Sequence, residues 1–294
     1  MDLLRLRYFQ VAARHEHISQ AAQELCIAQP SLSRAIARLE AELGVLLFDR
    51  QGRQVRLNQF GTAFLRRVDR ALRELDDGRL ELLDAAGLEH GSITIASETQ
   101  LTLTSVLKGF MAEQPGVTVR LNQLSADLMA RQLRAGEIDL CLASQPIGGP
   151  PLVTFELVQE KVFLAVPVSH PLAGAERVSL EDIADEPIVA TREGYWQRTL
   201  TDQLFESAGL RPNITCEGNE PGATQDLIGA GLGIGLLPQI GRTAATHTPV
   251  SWLELDAPGC VRTLSLVWNE ESYLSVAAER FRDFAIRHFR NNRE

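Results

Sequence analysis

Apolar positions near the start of the chain recur at helical spacing. Leu6, Phe9 and Ala13 lie three and four apart and predict a short first helix. Ser19 stands as an N-cap before an alanine-rich helix over 20–26. A turn follows at 27–29, and Pro30 occupies the first position of a third helix, where its missing N–H costs nothing. Gly44 ends that helix at about Leu43. Its inward stripe is Leu32, Ile36, Leu39 and Leu43; the opposite face carries Arg34, Ala37 and Arg38, with Ser31 and Ser33 on the shoulders. After 47–50 the period changes to two. Gly52 supplies a turn, then Val55 and Leu57 fall on one side of 53–57 and arginines on the other, predicting a two-stranded hairpin.

From 59 to about 88 there is no proline. Phe64, Val68, Ala71, Leu75, Gly78 and Leu82 recur at alternating fours and threes, a heptad seam with charge on the other faces. A helix of this length with so narrow an apolar stripe is unstable alone, so it is read as a self-pairing linker. Beyond it, strands are predicted at 92–96, 117–121, 138–143, 162–166, 187–190, 214–217, 233–237 and 264–268. Helices fall between them at 101–113, 127–135, 180–183, 196–208 and 227–230, and a last one covers 272–290. Strands alternating with helices at this spacing imply an α/β class with parallel pairing.

The length of 294 residues suggests roughly two domains at ~150 residues each. Apolar content of 45% and charged content of 23% are ordinary for a globular protein and exclude disordered and collagen-like classes. The longest weakly polar run, 227–237, carries four glycines and is far shorter than the ~20 residues a membrane span needs. The first residues lack the basic and apolar segments of a secretion signal. Cys26, Cys141, Cys216 and Cys260 are scattered with no CxxC, which argues for reduced thiols in a cytoplasmic protein and against a metal site. Cys26 is expected in the core of the helical head.

Net charge is −9, but its distribution matters more than its sum. Residues 1–60 hold eight arginines, no lysine and six acidic residues. A mildly basic head therefore sits on an acidic body, and all its cations are guanidinium groups, which grip phosphate or guanine bidentately. Two short helices joined by a tight turn place the second in the major groove, N-terminal end first. Here that end presents Gln29, Ser31, Ser33 and Arg34. Gln pairs with adenine and Arg with guanine, while Ser is either a permissive base partner or a helix cap. Arg34 contacts base or phosphate; Arg38, on a later turn, is a phosphate contact or a solvated charge. Arg50 and Arg53 near the hairpin tip suit phosphate or minor-groove contact.

The run Phe9 … Ser19-Gln20-Ala21-Ala22 … Leu25 … Gln29-Pro30-Ser31-Leu32-Ser33-Arg34-Ala35-Ile36 … Leu39-Glu40 … Leu43-Gly44 … Leu47-Phe48-Asp49-Arg50 … Leu57 … Gly61 resembles the LysR-type transcriptional regulators over about the first 65 residues. Asn58, where the family usually has Thr, and His17-Ile18 depart from the pattern away from the groove face. Gly136 … Ile138-Asp139-Leu140, His170-Pro171-Leu172 and Gly229 … Gly231-Leu232-Gly233-Ile234-Gly235-Leu236-Leu237-Pro238 are similar to that family's periplasmic-binding-protein-like effector domain. The resemblance implies a winged helix-turn-helix over 1–58, a dimerisation helix over 59–89 paired through Phe64, Val68, Ala71, Leu75 and Leu82, and an effector-binding domain over 90–294. It divides that domain into one lobe of 91–162 plus 266–294 and another of 163–265, with crossing strands near 163–166 and 264–268 as hinge. It further implies double-stranded DNA as partner, a dimer or tetramer, contact with RNA polymerase, no membrane, no resident cofactor and a small organic effector.

Ligands of open α/β lobes bind beyond strand C-termini, at helix N-termini where free N–H groups attract anions. That rule selects Ser97, Glu98, Thr99, Ser125, Ser144 and Gln145, and in the second lobe Thr191, Arg192, Gly218 and Asn219. The hydroxyls and one Arg suit a small carboxylate, or else serve as helix caps and surface charge; Glu98 opposes a carboxylate. An enzyme is disfavoured, since GxGxxG, GxSxG, HExxH and Walker patterns are absent. An exported binding protein lacks both signal and reason for the head. A thiol sensor would need Cys216 and Cys260, both in the second lobe, to meet.

Overall fold

The computed structural model describes residues 1–51, 54–86, 91–218, 223–243 and 248–291. These form two compact units, 1–82 and 83–294.

In the first unit, α1 (Leu3–His15), α2 (Ile18–Glu24) and α3 (Gln29–Leu43) precede a hairpin of β1 (Phe48–Gln51) and β2 (Gln54–Leu57), and α4 (Gln59–Ala85) follows. Asp2 caps α1 by accepting from the Arg5 N–H at 2.9 Å. The cap of α2 is His17, whose Nδ1 accepts from the Gln20 N–H, and not Ser19, which lies inside the first turn. α3 starts at Gln29 after the N-cap Ala28, with Pro30 one position later than expected in its first turn, and stops at Gly44, whose φ of 72° suits glycine. Leu32, Ile36 and Leu39 are buried as the stripe requires, and Ala21 and Ala22 let α2 cross closely. Glu40 is buried too. Its carboxylate accepts the N–H groups of Leu47 (2.8 Å) and Phe48 (3.3 Å), tying the hairpin to α3. Cys26 is exposed rather than packed, because it takes the left-handed turn conformation (φ 54°) between α2 and α3.

The expected pairing seam of α4 is divided. Val68 is buried and Phe64 half-buried in the head's own core, where Phe64 meets Phe9 at 5.5 Å between ring centroids and Leu72 closes the stripe. Arg7–Asp76 (2.8 Å) and Gln10–Asp69 (2.8 Å) hold the same stretch to α1. These two residues are thus spent inside the unit. Ala71, Leu75 and Leu82 remain exposed.

The second unit contains β3 (Ser92–Ser97), α5 (Leu101–Glu113), β4 (Thr118–Gln123), α6 (Ala126–Ala135), β5 (Leu140–Ala143), β6 (Leu152–Pro167), β7 (Arg177–Val178), β8 (Pro187–Thr191), α7 (Trp196–Ser207), β9 (Asn213–Gly218), α8 (Thr224–Gly229), β10 (Gly235–Pro238), β11 (Val250–Leu255), β12 (Val261–Asn269) and α9 (Val276–Asn291). One sheet runs β4-β3-β5-β12-β6-β11-β7, with β10 also on β6; β8 and β9 pair in parallel, and an isolated Ile188–Ile234 bridge ties β8 to the residue just before β10. The β4-β3-β5 edge is parallel, as the βαβ spacing demands, and β12 and β6 join antiparallel.

β6 is sixteen residues long, far beyond the apolar run 162–166, because its first half mixes charged and apolar positions. That half pairs with β12; its second half pairs with β10 and β11. The passage between lobes lies at 159–161 opposite 261–263. The expected crossing strands 163–166 and 264–268 instead belong to one lobe each, since their partners do. Lobe I packs Ile93, Phe110, Leu266 and Phe281 on one sheet face and Met129, Leu133 and Cys141 on the other. Lobe II packs Val166, Ile188, Phe205 and Leu253.

Candidate functional site

The head offers one polar edge. Helical spacing turns Leu32, Ile36 and Leu39 inward, so Gln29, Ser31, Arg34 and Arg38 are exposed and Ser33 is half-buried. Gln29 Nε2 donates to Ser33 Oγ (3.1 Å), and Arg34 Nε donates to the Pro30 carbonyl (3.3 Å). Both are weak i,i+4 contacts on an exposed face, easily exchanged for a base or phosphate. Asp49 and Arg56 are also exposed, opposite each other on the hairpin. Arg50 belongs to β1, but its side chain lies outside the described residues, as does Arg53 entirely.

The second unit has a polar centre where the lobes meet. Glu98, just after β3, is buried. Its carboxylate accepts from the Ser144 N–H (2.7 Å), Gln145 Nε2 (3.1 Å) and the Trp196 N–H (3.1 Å). Ser144 follows β5 in lobe I and Trp196 opens α7 in lobe II. Gln145 spans the same seam, donating to the Gly194 carbonyl (2.9 Å) and accepting from Thr199 Oγ1 (3.1 Å). Gly194 has φ 89°, and a Cβ there would stand 3.8 Å from Ser125 Cβ, so the lobes approach closely at this turn.

Beneath this seam lies Arg262 on β12, 2% exposed. Its Nε donates to Ser144 Oγ (2.8 Å) and its Nη2 to Thr102 Oγ1 (2.8 Å), while Nη1 faces Glu160 at 3.2 Å. The guanidinium also covers the Trp196 ring at 5.0 Å. Burial pushes its pKa below the ordinary value, while Glu160 and Glu98 pull it back up. Glu160 in turn accepts the Ile240 N–H (2.8 Å).

The predicted effector residues divide around this cluster. Ser97 Oγ donates to the Thr99 carbonyl (2.5 Å), and Thr99 Oγ1 accepts from the Leu101 N–H (3.3 Å), so both hydroxyls serve the local turn into α5. Ser144 is in the cluster. Ser125 precedes α6 without capping it by its side chain. The Thr191 hydroxyl is buried with no partner. Arg192 is exposed. Asn219 lies outside the described residues. Sequence reading missed Arg262, Glu160, Thr102 and Trp196. The signal for Arg262 was period two: it stands in phase with the inward Leu264 and Leu266.

All four cysteines are free thiols. Cys260 donates to the Val162 carbonyl (3.3 Å) and burial pushes its pKa up to about 11, so it is a poor thiolate. Burial likewise raises Cys141. Among the described residues no cluster of His, Cys, Asp and Glu could hold a metal, and no helix is long and apolar enough to cross a membrane.

Residues 3–62 match the family model of the bacterial regulatory helix-turn-helix protein, lysR family, and residues 86–290 match the LysR substrate binding domain. The chain belongs to the LysR family of transcriptional regulators. This LysR regulator is 38% identical over 295 residues to the uncharacterized HTH-type transcriptional regulator YybE of Bacillus subtilis (strain 168), covering 98% of this chain and 99% of that one. Its fold is similar to that of full-length CbnR complexed with the target DNA (TM-score 0.64, 23% identity, 98% of this chain and 100% of that chain covered). The effector binding domain of QuiR in complex with shikimate is also similar (TM-score 0.61, 25% identity), over 69% of this chain and 99% of that domain. The LysR regulator therefore has a DNA-binding helix-turn-helix and an effector-binding domain, and it acts by binding rather than by catalysis.

Proposed function

We propose that this regulator binds a partly palindromic promoter site as a dimer or tetramer and changes its grip on that site when a small organic effector enters the interlobe cleft. The observation that carries the reading is the exposed N-terminal edge of α3, where Gln29, Ser31, Arg34 and Arg38 face outward beside Ser33. Gln29, Ser31, Ser33 and Arg34 read bases, and Arg38, Arg50 and Arg53 hold phosphates. Residues 1–58 act as the DNA-binding head, 59–89 as the linker and 90–294 as the effector domain. Because Phe64 and Val68 are spent in the head, self-pairing along α4 falls to Ala71, Leu75 and Leu82. QuiR's complex with shikimate supports a small organic effector here.

Of the residues the sequence selects, Ser125, Ser144, Thr191, Arg192 and Asn219 are the proposed effector contacts, while Ser97 and Thr99 shape the turn beside them; the unpartnered Thr191 hydroxyl is the group most in need of a partner. The effector acts only so far as it binds two arrangements of the heads unequally, shifting DNA bending and contact with RNA polymerase in the cytoplasm. The test is binding of the purified full-length chain to a genomic fragment library at moderate salt, with and without metabolite extract. Recovery of a discrete operator supports the reading, and uniform binding to all fragments overturns it.

A further inference from the structure

The charges at the centre of the second unit do not balance. Glu98, Glu160 and Arg262 form one polar cluster with two carboxylates and a single guanidinium. Arg262 and Glu160 face each other at 3.2 Å and neutralise one another. Glu98 is the surplus anion. What stabilises it is a cradle of N–H donors: the backbone of Ser144, the side chain of Gln145 and the backbone of Trp196 at the head of the twelve-residue α7. Donors at a helix N-terminus and a strand C-terminus, drawn from facing lobes, make the arrangement by which an α/β cleft holds an anionic ligand. Here the carboxylate in it is the protein's own.

We propose that Glu98 is an intramolecular carboxylate ligand: it fills the anion cradle between the lobes, latches the lobes together, and admits an external carboxylate only when displaced. This inference rests on reading the cleft as the effector site. A structural carboxylate need only satisfy neighbours within its own lobe. Glu98 instead reaches from lobe I to the Trp196 N–H of lobe II, and Gln145 reinforces the same seam through the Gly194 carbonyl and Thr199. Glu98 is therefore a specificity-determining residue. It disfavours effectors whose sole anchor is a carboxylate and favours those with further contacts to offset its displacement.

Glu98→Ala empties the cradle without stranding a charge, because Arg262 keeps Glu160. In the full-length chain, E98A should unfold at lower temperature than wild type in sodium chloride. Sodium acetate at equal ionic strength should then stabilise E98A saturably. A cradle filled nine-tenths of the time weakens external binding about tenfold, so acetate should bind E98A at least about tenfold more tightly than wild type. Equal acetate responses in both chains, or none in E98A, overturn the proposal.

If E98A does not fold, E98Q carries the test. Its amide fills the same space but turns an NH₂ toward the donors. Amides of Ser144 and Trp196 should exchange hydrogen at least about tenfold faster than in wild type, the equivalent of roughly 1.4 kcal/mol. Unchanged exchange overturns the latch. Operator preference, measured on the same samples, separates the two readings. Preference intact with no acetate rescue sinks the latch alone, and wild type without preference sinks the regulator model whatever acetate does.

Discussion

Replacing Arg262 with Met tests whether the interlobe cluster is held by charge compensation or by hydrogen bonds. Met keeps an unbranched stem of similar reach but removes the guanidinium. Two hydrogen bonds disappear, to Ser144 Oγ and Thr102 Oγ1. Hydroxyls can turn to other acceptors, so these account for about 1 kcal/mol each. The larger effect is electrostatic: Glu160 and the surplus Glu98 lose the buried guanidinium that faces them. Breaking a buried ion pair on one side costs about 3–5 kcal/mol. The second change, Glu160→Gln on the R262M background, removes one stranded charge while keeping an acceptor for the Ile240 N–H, and should recover about half of the loss. Urea unfolding followed by tryptophan fluorescence is the assay, because Trp196, Trp252 and Trp268 all lie in the second unit. The two contributions together come to about 5–7 kcal/mol, so at about 2 kcal/mol per molar urea R262M should shift the midpoint down by roughly 3 M. A loss of only about 2 kcal/mol or less, or no recovery in the double variant, refutes the charge argument and leaves the hydrogen bonds as the whole effect.

Arg34→Ala should cost about 1–3 kcal/mol of operator binding in fluorescence anisotropy while leaving scrambled DNA nearly unaffected; equal losses on both would make Arg34 a phosphate contact. Arg38→Ala should weaken binding to both DNAs and reduce the slope of log affinity against log salt by about 1. Burial holds the Asp69 carboxyl above its usual range despite the hydrogen bond from Gln10. Such a group favours the folded state at low pH and loses that contribution as pH rises through its folded pKa. Asp69→Asn should thus raise the melting temperature at neutral pH, and the gain should fade as the solution is taken below the ordinary carboxylate range; a gain that persists in acid would point to packing instead. Leu75→Asp with Leu82→Asp should shift sedimentation toward the monomer, whereas Val68→Asp should unfold the head, since only the first two side chains are exposed.

The order of helices and hairpin in the head, the outward face of α3 and most of the alternating strands and helices of the body were legible along the chain, while β7, β11 and the first half of β6 were not. Each depends on local periodicity, and Pro30, Gly44 and the Leu32–Ile36–Leu39 stripe specify it within a few residues. Other features needed the packed molecule. The heptad from Phe64 to Leu82 reads as one seam, yet Val68 and Phe64 turn to the head core because Phe9 and Leu72 stand beside them there. His17 rather than Ser19 caps α2, a difference of two residues that propensity does not resolve. Most of the chemistry at the centre of the second unit was hidden as well. Glu98 was visible as a carboxylate in an awkward place, but its partners Ser144, Gln145 and Trp196 are 46, 47 and 98 residues away. Arg262 and Glu160 meet only because β6 and β12 cross between lobes in that register. Short-range pattern determines which elements form. Which buried charges neutralise one another is decided by long-range pairing, because the cost of burying a charge depends on neighbours that only the folded chain supplies.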